Sequence, residues 1–528
     1  MAQILIIADN TYSGAHIGVN RAPGAHRIAT HLRGHGYSVE VVDYILRWSL
    51  PEFQALCERV VDRQTLYLGI GASLFFDQPQ INDMLAWFRQ RYPDVPIVLG
   101  GSNIVYRDIH PVDYRLDGYA ENAIVILTRV IQGLEPESRL RYRLLGDRRY
   151  VDCNGDYGTV DTSDLGIQYQ ESDFIMPTQS LGIETARGCI FKCAFCTYPL
   201  LGKKKLDYLR NPDNLAQELQ RNYDQWGVTN YVINEDTLND SPQKLEQLEK
   251  AISRLPFRIQ FVAYARLDLI LAHPHTLELL RSMGMRAVHF GIETFNSRAA
   301  KIIGKNSDIQ RIKDGLLWFR AQAPEINMQC GNIVGLPEDT DDPWDSLAWY
   351  RTSGIDFYYF NPLYLTDPNQ VINTNQFSRN YGHYGFELMT EDEILAEYEQ
   401  GIADPRDHMH IRNAIFLVHN NRSQLQKLLY WKNVRTGDNY FKVSRTALRI
   451  QEAAVERKIM SWTLFEYMTL GYPIEQCRTW NAHRSGANPL PEQELIDRSH
   501  RFIADYKQKK LQYDYHKNAT MTAGSGSL

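Results

Sequence analysis

The first 135 residues alternate short apolar runs with amphipathic stretches of helical period. Four apolar runs predict buried parallel strands, at Ile4–Ala8, Ser38–Val42, Leu66–Ile70 and Ile97–Leu99. The helical patterns predict helices at Ala25–His35, Gln80–Arg91 and Glu121–Gln132. This alternation predicts a doubly wound parallel sheet of the Rossmann or flavodoxin-like kind over residues 1–135.

A second alternation covers residues 176–375 after a connector at 136–175, in which Arg141–Leu145 and Arg149–Cys153 suggest a hairpin. The predicted strands are Leu181–Thr185, Tyr231–Asn234, Ile259–Tyr264, Ala287–Gly291, Gln329–Val334 and Phe357–Asn361. The predicted helices between them include Pro212–Trp226, Gln243–Arg254, Pro274–Met283 and Ile309–Gln322. Residues 376–528 predict a mainly helical C-terminal region with a flexible tail, its helices at Glu391–Gln400, Asn420–Trp431 and Ala447–Leu470.

Three cysteines, Cys189, Cys193 and Cys196, follow the first strand of this second alternation with Cys-x3-Cys-x2-Cys spacing. Zinc would normally require a fourth cysteine or histidine nearby, but no histidine lies between His110 and His273. An iron–sulfur cluster that keeps one iron free fits three thiolates better. The same spacing could also place small buried residues on one face of a helix, and this alternative stays open.

The cysteine run, with Phe195 before its last cysteine, resembles the signature of the radical S-adenosylmethionine (SAM) enzymes. The resemblance implies a partial (β/α)6 barrel of the TIM type and a 4Fe–4S cluster held by the three cysteines. It further implies that SAM binds the open iron and is cleaved reductively to a radical that abstracts hydrogen from a substrate. Phe195 matches the aromatic residue that this family places beside the adenine.

Further positions match the strand-end motifs of this family. Gly331, Ile333 and Gly335 match its Gly-x-Ile-x-Gly-x-x-Glu run, which backs the adenine. Glu293 and Arg266 resemble SAM contacts on the fourth and third strands, although Glu293 could instead cap a helix and Arg266 could pair with Glu235 or Asp268. Glu235 stands where many members hold the SAM amino group, but its Asn-Glu-Asp run departs from their Gly-Gly-Glu. No catalytic residue toward the substrate is predicted.

The first domain carries a second, weaker resemblance, to the cobalamin-binding domains that precede many radical SAM domains. The matching strand-end glycines are Gly71, Gly100, Gly101 and Gly118. Ligands of such sheets bind at these ends, where glycine lets the backbone approach a ligand closely. The loop Asp9–His16 lacks the Asp-x-His-x-x-Gly motif that supplies an axial histidine. The resemblance therefore implies cobalamin without a protein imidazole on cobalt, or a first domain kept as scaffold.

The overall composition limits the class of protein. The chain has 528 residues, 44% of them hydrophobic, and a formal charge of −6, which gives no overall attraction to nucleic acid or to anionic membranes. Seven cysteines in this length do not form a disulfide framework, so a cytoplasmic home is expected, and no apolar stretch is long enough to span a bilayer. Seven basic residues between Arg422 and Arg449, interleaved with aromatics, suggest either a polyanion-binding surface or a solvated helical face.

Three functions compete. The leading hypothesis is a cobalamin-dependent radical SAM methyltransferase that acts on an unactivated carbon, with methylcobalamin as the donor. The alternatives are a cobalamin-independent radical SAM isomerase or cyclase and, from another class, a non-catalytic iron–sulfur protein. Methylthio transfer to tRNA is disfavoured because Cys57 is the only cysteine of the first domain. The expected partners are a small-molecule, nucleotide or peptide substrate and an electron donor such as flavodoxin or ferredoxin.

Overall fold

The structure is a computed structural model that describes most of the chain. The described residues are 2–10, 18–72, 78–101, 109–145, 148–153, 157, 160–197, 203, 208–365, 375–402, 430–456, 468–472 and 492–515. The chain groups into two compact units. The first contains residues 1–184, 213–232 and 468–528, and the second contains residues 185–212 and 233–467.

The first unit contains a seven-stranded sheet with the order β2-β1-β3-β4-β5-β7-β6. Its strands are β1 (Ile4–Ala8), β2 (Val39–Val42), β3 (Tyr67–Gly71), β4 (Ile97–Gly100), β5 (Tyr114–Asp117), β6 (Tyr142–Leu145) and β7 (Arg148–Asp152). All neighbours pair in parallel except the β6–β7 hairpin, which extends the sheet at its edge. The predicted doubly wound sheet is therefore confirmed, with β5 as a strand that the sequence pattern missed.

Helices cover both faces of this sheet because the strands are apolar on both sides. The helices of the first unit are α1 (Pro23–Gly34), α2 (Leu50–Val60), α3 (Gln78–Arg91) and α4 (Glu121–Ile131), with short 3-10 turns at Ile45–Arg47, Glu137–Arg139 and Glu171–Asp173. Helix α2 starts at a capping box, in which Ser49 and Glu52 exchange side-chain and backbone hydrogen bonds.

A second sheet has six strands in sequential order from β8 to β13. The strands are β8 (Ser180–Ile183), β9 (Asn230–Ile233), β10 (Gln260–Ala265), β11 (Met285–Glu293), β12 (Asn327–Val334) and β13 (Phe357–Pro362). The helices between them are α5 (Pro212–Trp226), α6 (Pro242–Ile252), α7 (Leu267–Ala272), α8 (Thr276–Met283), α9 (Ser297–Ile302), α10 (Ile309–Gln322) and α11 (Pro343–Ser353). This sequential β/α order confirms the expected partial TIM-type barrel.

The C-terminal region is mainly helical in its described part, as expected, but it also contains three short strands. Most of the expected helix Asn420–Trp431 lies outside the described residues, and Trp431 begins a strand. The region contains α12 (Gln376–Arg379), a 3-10 turn (Tyr381–Tyr384), β14 (Phe386–Leu388), α13 (Glu391–Ile402), β15 (Trp431–Asn433), β16 (Asp438–Asn439), α14 (Tyr440–Glu456) and α15 (Glu492–Gln512). Strands β14–β16 form a small sheet in the second unit, whereas α15 belongs to the first unit. None of the described helices is both long and apolar enough to cross a bilayer.

Buried polar contacts explain why α15 belongs to the first unit. Lys510 forms an ion pair with Glu40 and donates a hydrogen bond to the Val41 carbonyl at 2.6 Å. The Asp43 amide donates to the Tyr506 hydroxyl at 3.0 Å. Helix α15 therefore contacts β2 and the residue after it, and it groups with the first unit, whereas the sequence analysis placed it in a C-terminal region of its own.

We expect Asp117, at the end of β5, to make the first unit less stable as the pH rises. Burial and the neighbouring Asp152 raise the pKa of Asp117 to about 6. A raised pKa in the folded state means that the folded chain holds this proton more tightly, so stability falls between about pH 4 and pH 6. Asp117→Asn should flatten that part of the pH–stability curve, measured by urea unfolding. An unchanged pH dependence in the variant would contradict the assignment.

Candidate active site

The three cysteines lie in an irregular loop after β8. Between Cys189 and Cys196 the loop contains one hydrogen-bonded turn, from Cys193 to Cys196, and no helix, so the alternative of a buried helical face is wrong. Gly188 takes a φ of 132°, which favours glycine, and turns the chain into the first cysteine. Cys189 is buried, whereas Cys193 and Cys196 are partly exposed.

Neighbouring segments hold this loop in place through backbone hydrogen bonds. The Arg187 amide donates to the Tyr208 carbonyl at 2.9 Å, and the Lys203 amide donates to the Cys189 carbonyl at 3.0 Å. The Ala194 amide donates to the Ile303 carbonyl at 3.2 Å. The cysteine positions are therefore set by contacts from residues distant in sequence.

Asn375 is a positioning residue that the sequence analysis missed. Its Nδ2 donates to the Phe195 carbonyl at 3.0 Å and to the Tyr364 carbonyl at 3.3 Å. Its Oδ1 accepts from the Ser378 amide at 2.7 Å, which makes Asn375 the N-cap of α12. The sequence signal was only this capping pattern, an asparagine three residues before a serine, and it does not indicate the contact with Phe195.

The triad suits a polynuclear centre better than a single ion. Among the described residues, no three His, Cys, Asp or Glu side chains come together to hold one metal ion, and the three cysteines are free thiols. A mononuclear zinc site needs its ligands within about 2.3 Å of one ion. A cluster is larger and binds its cysteines at separate irons, so it does not require the three sulfurs to converge on one ion.

Glu235 lies in a buried network of charges beside the cysteine loop. Its Oε1 accepts from the Thr185 hydroxyl at 2.8 Å, and its Oε2 accepts from Lys244 Nζ at 2.9 Å. Lys244 Nζ also lies 3.3 Å from Asp240, whose Oδ2 accepts from the Tyr208 hydroxyl at 2.6 Å. Burial opposes the charge of Lys244, but Glu235 and Asp240 raise its pKa. Each carboxylate oxygen of Glu235 thus accepts one hydrogen bond from the chain, and its expected contact with the SAM amino group stays a prediction.

Arg266 lies at the end of β10 and faces the cysteine loop. Its Nε and Nη2 donate to the two carboxylate oxygens of Asp268 at 3.0 and 2.7 Å, and its Nη1 lies 3.8 Å from Cys193 Sγ. The guanidinium stacks on the Phe191 ring at 3.9 Å. Of the expected pairings, the one with Asp268 is therefore present.

Glu293 lies where β11 ends in an irregular register. Pairing with β12 shifts between Gly291 and Glu293, and Glu293 takes a φ of 71°, which is unusual for a residue with a side chain. Its Oε1 lies 3.5 Å from Lys305 Nζ and would be only 2.3 Å from a Cβ on Gly291. Glu293 does not cap α9, because the Asn296 side chain accepts the helix N-terminal amides.

The inner face of the second sheet carries a histidine between two tyrosines. The Tyr359 hydroxyl lies 3.2 Å from His289 Nε2, and the Tyr264 and His289 rings lie 4.8 Å apart. A Cβ on Gly331 would lie 3.0 Å from His289 Nε2 and from the Tyr359 hydroxyl oxygen. Burial, with a smaller contribution from Lys305, lowers the pKa of His289 to about 3, so it is neutral at physiological pH. Gly331 is therefore the residue that leaves room for this pair.

A cavity of about 500 Å³ lies at the ends of β11 and β12. Its lining includes Glu293, Asn332, Ile333 and Gly335, together with acidic residues of the following loop such as Asp339. Burial is the main reason that the pKa of Asp339 rises to about 6. The structure thus brings Glu293, Ile333 and Gly335 together, whereas the cysteine triad, Phe195, Glu235 and Arg266 are not among the described lining residues.

We expect Gly335→Ala to destabilise the second unit through a steric contact. Gly335 has a φ of 90°, and a Cβ there would lie 2.7 Å from the Trp431 ring. Gly354 is a matched control, since it has a φ of 71° but open space around it. Gly354→Ala should cost about 1 kcal/mol for the backbone alone, and Gly335→Ala about 1–3 kcal/mol more, in the free energy of unfolding. If both variants lose the same free energy of unfolding, the structure accommodates the new contact with Trp431 without an energetic cost.

The glycines at the ligand edge of the first sheet have two different roles. A Cβ on Gly71 would lie 3.2 Å from Ala8 Cβ and 3.3 Å from Ala25 Cβ, so Gly71 allows α1 to pack closely on the sheet. A Cβ on Gly100 would meet no atom within 4 Å. Gly101 and Gly118 take φ values of 125° and 110°. The strand end at Gly100 is therefore open, whereas Gly71 has a packing role.

Part of the expected ligand edge lies outside the described residues. Of the loop Asp9–His16, only Asp9 and Asn10 are described, and the segments 73–77 and 102–108 are likewise outside the described part. Asp9 accepts a hydrogen bond from the Leu46 amide at 3.1 Å. The expectation of cobalamin without an axial imidazole therefore remains a prediction.

The basic segment of the C-terminal region is a set of ion pairs rather than a free cationic surface. The described pairs are Lys432 with Glu393, Arg435 with Glu338, Lys442 with Asp438, and Arg445 with Glu397. Its aromatic residues pack against one another, with Trp431 fully buried and the Tyr430 and Phe441 rings stacked 5.1 Å apart. The polyanion-binding interpretation is therefore not supported by the described residues, whereas Arg422 and Lys427 lie outside them.

Comparison with known proteins identifies the central region. Residues 183–349 match the profile of the Radical SAM superfamily. Over 180 residues the chain is 22% identical to tRNA-2-methylthio-N(6)-dimethylallyladenosine synthase of Bacillus velezensis, a stretch that covers 33% of this chain and 35% of that protein. An uncharacterised methyltransferase of Pyrococcus horikoshii is also 22% identical, with 34% and 38% covered. The matched stretch thus spans about a third of each relative.

Two solved structures share the fold over most of the chain. The radical SAM methyltransferase TsrM of Kitasatospora setae, solved with cobalamin and a [4Fe-4S] cluster, superposes with a TM-score of 0.55 at 14% identity. This match covers 75% of this chain and 78% of TsrM. The cobalamin-dependent radical SAM enzyme OxsB gives a TM-score of 0.50 at 12% identity, with 96% and 71% covered. The chain therefore carries a radical SAM domain and has the fold of these enzymes.

Proposed function

We propose that this radical SAM enzyme is a cobalamin-dependent methyltransferase that acts on an unactivated carbon of its substrate. The observation that carries the proposal is the cysteine loop after β8, in a chain whose N-terminal sheet leaves its strand ends open at Gly100. The domain class implies a 4Fe–4S cluster and SAM, which supply the radical chemistry when bound. Support for cobalamin comes from the folds of TsrM and OxsB, two enzymes described with cobalamin.

The residues of the chain contribute binding and orientation. Cys189, Cys193 and Cys196 would hold the cluster, and Asn375 fixes the backbone of the loop at Phe195, next to the last cysteine. Glu293, Ile333 and Gly335 line the cavity proposed for the adenosyl part of SAM. A low-potential one-electron donor such as flavodoxin or ferredoxin supplies the reducing electron.

The inner face of the barrel is the proposed position of the substrate. Tyr264 is 40% exposed there, beside the buried His289. Because His289 is neutral, it presents no positive charge to a bound substrate. The pairing of Tyr359 with His289 makes this surface suited to hydrogen bonding with a polar group next to the reacting carbon.

A second candidate is a cobalamin-independent isomerase or cyclase, favoured by the packing role of Gly71. One of the four glycines expected to meet the corrin instead contacts Ala8 and Ala25. Methylthio transfer to tRNA is not proposed. The match to that synthase covers only a third of each chain, and Cys57 is the sole cysteine among the first 135 residues.

The test is the binding of corrinoid by the full chain. The protein is reconstituted anaerobically with iron, sulfide and hydroxocobalamin, and corrinoid per chain is measured after gel filtration. We expect about one corrinoid per chain and a Co(II) electron paramagnetic resonance spectrum without nitrogen superhyperfine splitting. Splitting from an imidazole would contradict the missing axial histidine. No retained corrinoid, together with 5′-deoxyadenosine formation from SAM and dithionite, would favour the second candidate.

Gly100→Leu tests whether corrinoid binds at the end of β4, where Gly100 lies. The open space beside Gly100 should accept the leucine side chain without loss of folding, while corrinoid retention falls at least tenfold. Gly34→Leu, at the end of α1, is the matched control because a Cβ there also meets no atom within 4 Å. If both variants retain the same amount of corrinoid at equal thermal stability, corrinoid does not bind beside Gly100.

A further inference from the structure

Two hydrogen-bond donors lie beside two of the three cysteine sulfurs. Arg266 uses Nε and Nη2 for Asp268, which leaves Nη1 directed at Cys193 Sγ at 3.8 Å. The Thr237 hydroxyl oxygen lies 3.7 Å from Cys189 Sγ. In the unligated protein the Cys189 thiol is the donor of this contact. In this state the Thr237 hydroxyl donates its one proton to the Asp236 carbonyl at 2.7 Å. Once the sulfur binds iron it carries no proton, so donation to Cys189 Sγ requires the Thr237 hydroxyl to turn from the carbonyl to the sulfur.

Packing fixes both donors. Arg266 is held between the Asp268 carboxylate and the Phe191 ring, and the Arg266 amide donates to Asn239 Oδ1 at 2.8 Å. Thr237 lies in the segment fixed by Lys244, whose Nζ donates to the Thr237 carbonyl at 3.0 Å. The Arg266 side chain is only 7% exposed, so its charge is weakly screened by solvent.

Hydrogen bonds to the sulfurs and nearby charge are among the features that set the reduction potential of an iron–sulfur cluster. A reduced cluster carries one more negative charge, so a donor or a positive charge next to a sulfur stabilises it. A negative charge at the same distance has the opposite effect. The Arg266 guanidinium places a positive charge next to Cys193, and the Asp268 carboxylate bound to that guanidinium offsets part of it.

We propose that Arg266 and Thr237 raise the reduction potential of the cluster at Cys189, Cys193 and Cys196, and that Asp268 lowers it. The inference rests on the proposed presence of that cluster, and it gives Arg266 a role different from the expected contact with the SAM carboxylate. In the step concerned, the cluster takes up one electron from a low-potential reductant. No bond forms or breaks in these three side chains, and no proton is transferred.

The experiment is a potentiometric titration of the reconstituted full chain with dithionite and redox mediators, followed by electron paramagnetic resonance in the absence of SAM. Arg266→Gln and Thr237→Val should make reduction harder, and Asp268→Asn should make it easier. For Arg266→Gln we expect a tenfold lower ratio of reduced to oxidised cluster at fixed potential. For a one-electron couple this corresponds to about 59 mV.

Matched variants separate electrostatics from structure. Arg281→Gln removes an exposed arginine that pairs with Glu278 and Glu325, and it should leave the potential unchanged. Arg266→Lys keeps the charge and should recover most of the wild-type potential, and Thr237→Ser keeps the hydroxyl and should do the same. Shifts of the same sign in Arg266→Gln and Asp268→Asn, or none beyond that of Arg281→Gln, would overturn the inference.

Iron and sulfide per chain are measured in every sample. A wild-type chain that takes up no cluster would overturn the proposed function itself. A full cluster with an unchanged potential in the Arg266, Thr237 and Asp268 variants would overturn only this inference.

Discussion

Replacing Cys189, Cys193 and Cys196 together with alanine is expected to abolish cluster binding and SAM cleavage while the chain still folds. The three sulfurs are the only protein ligands proposed for the cluster. Cys193 and Cys196 are partly exposed in an irregular loop, so the loss of their thiols removes little core packing. Iron per chain should fall to background after anaerobic reconstitution. The formation of 5′-deoxyadenosine from SAM and dithionite should fall by about 10³-fold or more, since the reacting group itself is absent.

Cys153→Ala is the matched control for this experiment. Cys153 is a buried thiol of the first unit, and burial raises its pKa far above the ordinary value, so it remains protonated. The control should bind iron and cleave SAM as the wild-type chain does. Iron and sulfide retained at wild-type levels in the triple variant would refute the assignment of the triad.

Lys510→Met is expected to destabilise the first unit by about 3–5 kcal/mol, because it leaves the carboxylate of Glu40 buried without its partner. Lys510 is fully buried, and among the described hydrogen bonds its Nζ donates only to Glu40 and to the Val41 carbonyl. Ser172 continues to donate to Glu40 Oε2 at 2.9 Å but carries no charge. The change is measured as the free energy of the first unfolding transition in urea at pH 7.

The adjacent Lys509 is the control for Lys510. It pairs with Asp505 on the helix surface, where its side chain is 44% exposed, and Lys509→Met should change the free energy of unfolding by less than about 1 kcal/mol. Adding Glu40→Gln to Lys510→Met should recover part of the loss, because the unpaired charge is then removed. Similar stabilities of the Lys509 and Lys510 variants would mean that α15 does not hold β2.

Hydrophobic periodicity was sufficient to predict both parallel sheets. The strands are apolar runs bounded by glycine or polar residues, and each is close to the observed one, as Ile4–Ala8 and Phe357–Pro362 illustrate. The sequence pattern did not predict strand β5, because Tyr114–Asp117 contains two charged residues. Arg115 is nevertheless fully buried, with its guanidinium 5.7 Å from the Tyr150 ring centroid. A pattern of single residues does not reveal such a compensating partner.

The assignment of the cysteine triad rests on local spacing alone, because the three cysteines lie within eight consecutive residues. The roles of Glu235, Arg266 and Asn375 depend on partners between 2 and 180 positions away, such as Asp268 for Arg266 and Phe195 for Asn375. The same is true of α15, whose side chains reach Glu40 across 470 positions. Local sequence is enough to predict the cysteine motif and the periodicity of strands and helices. Charge pairs and close packing cannot be predicted in this way, because they form between segments that are distant in sequence and meet only in the folded chain.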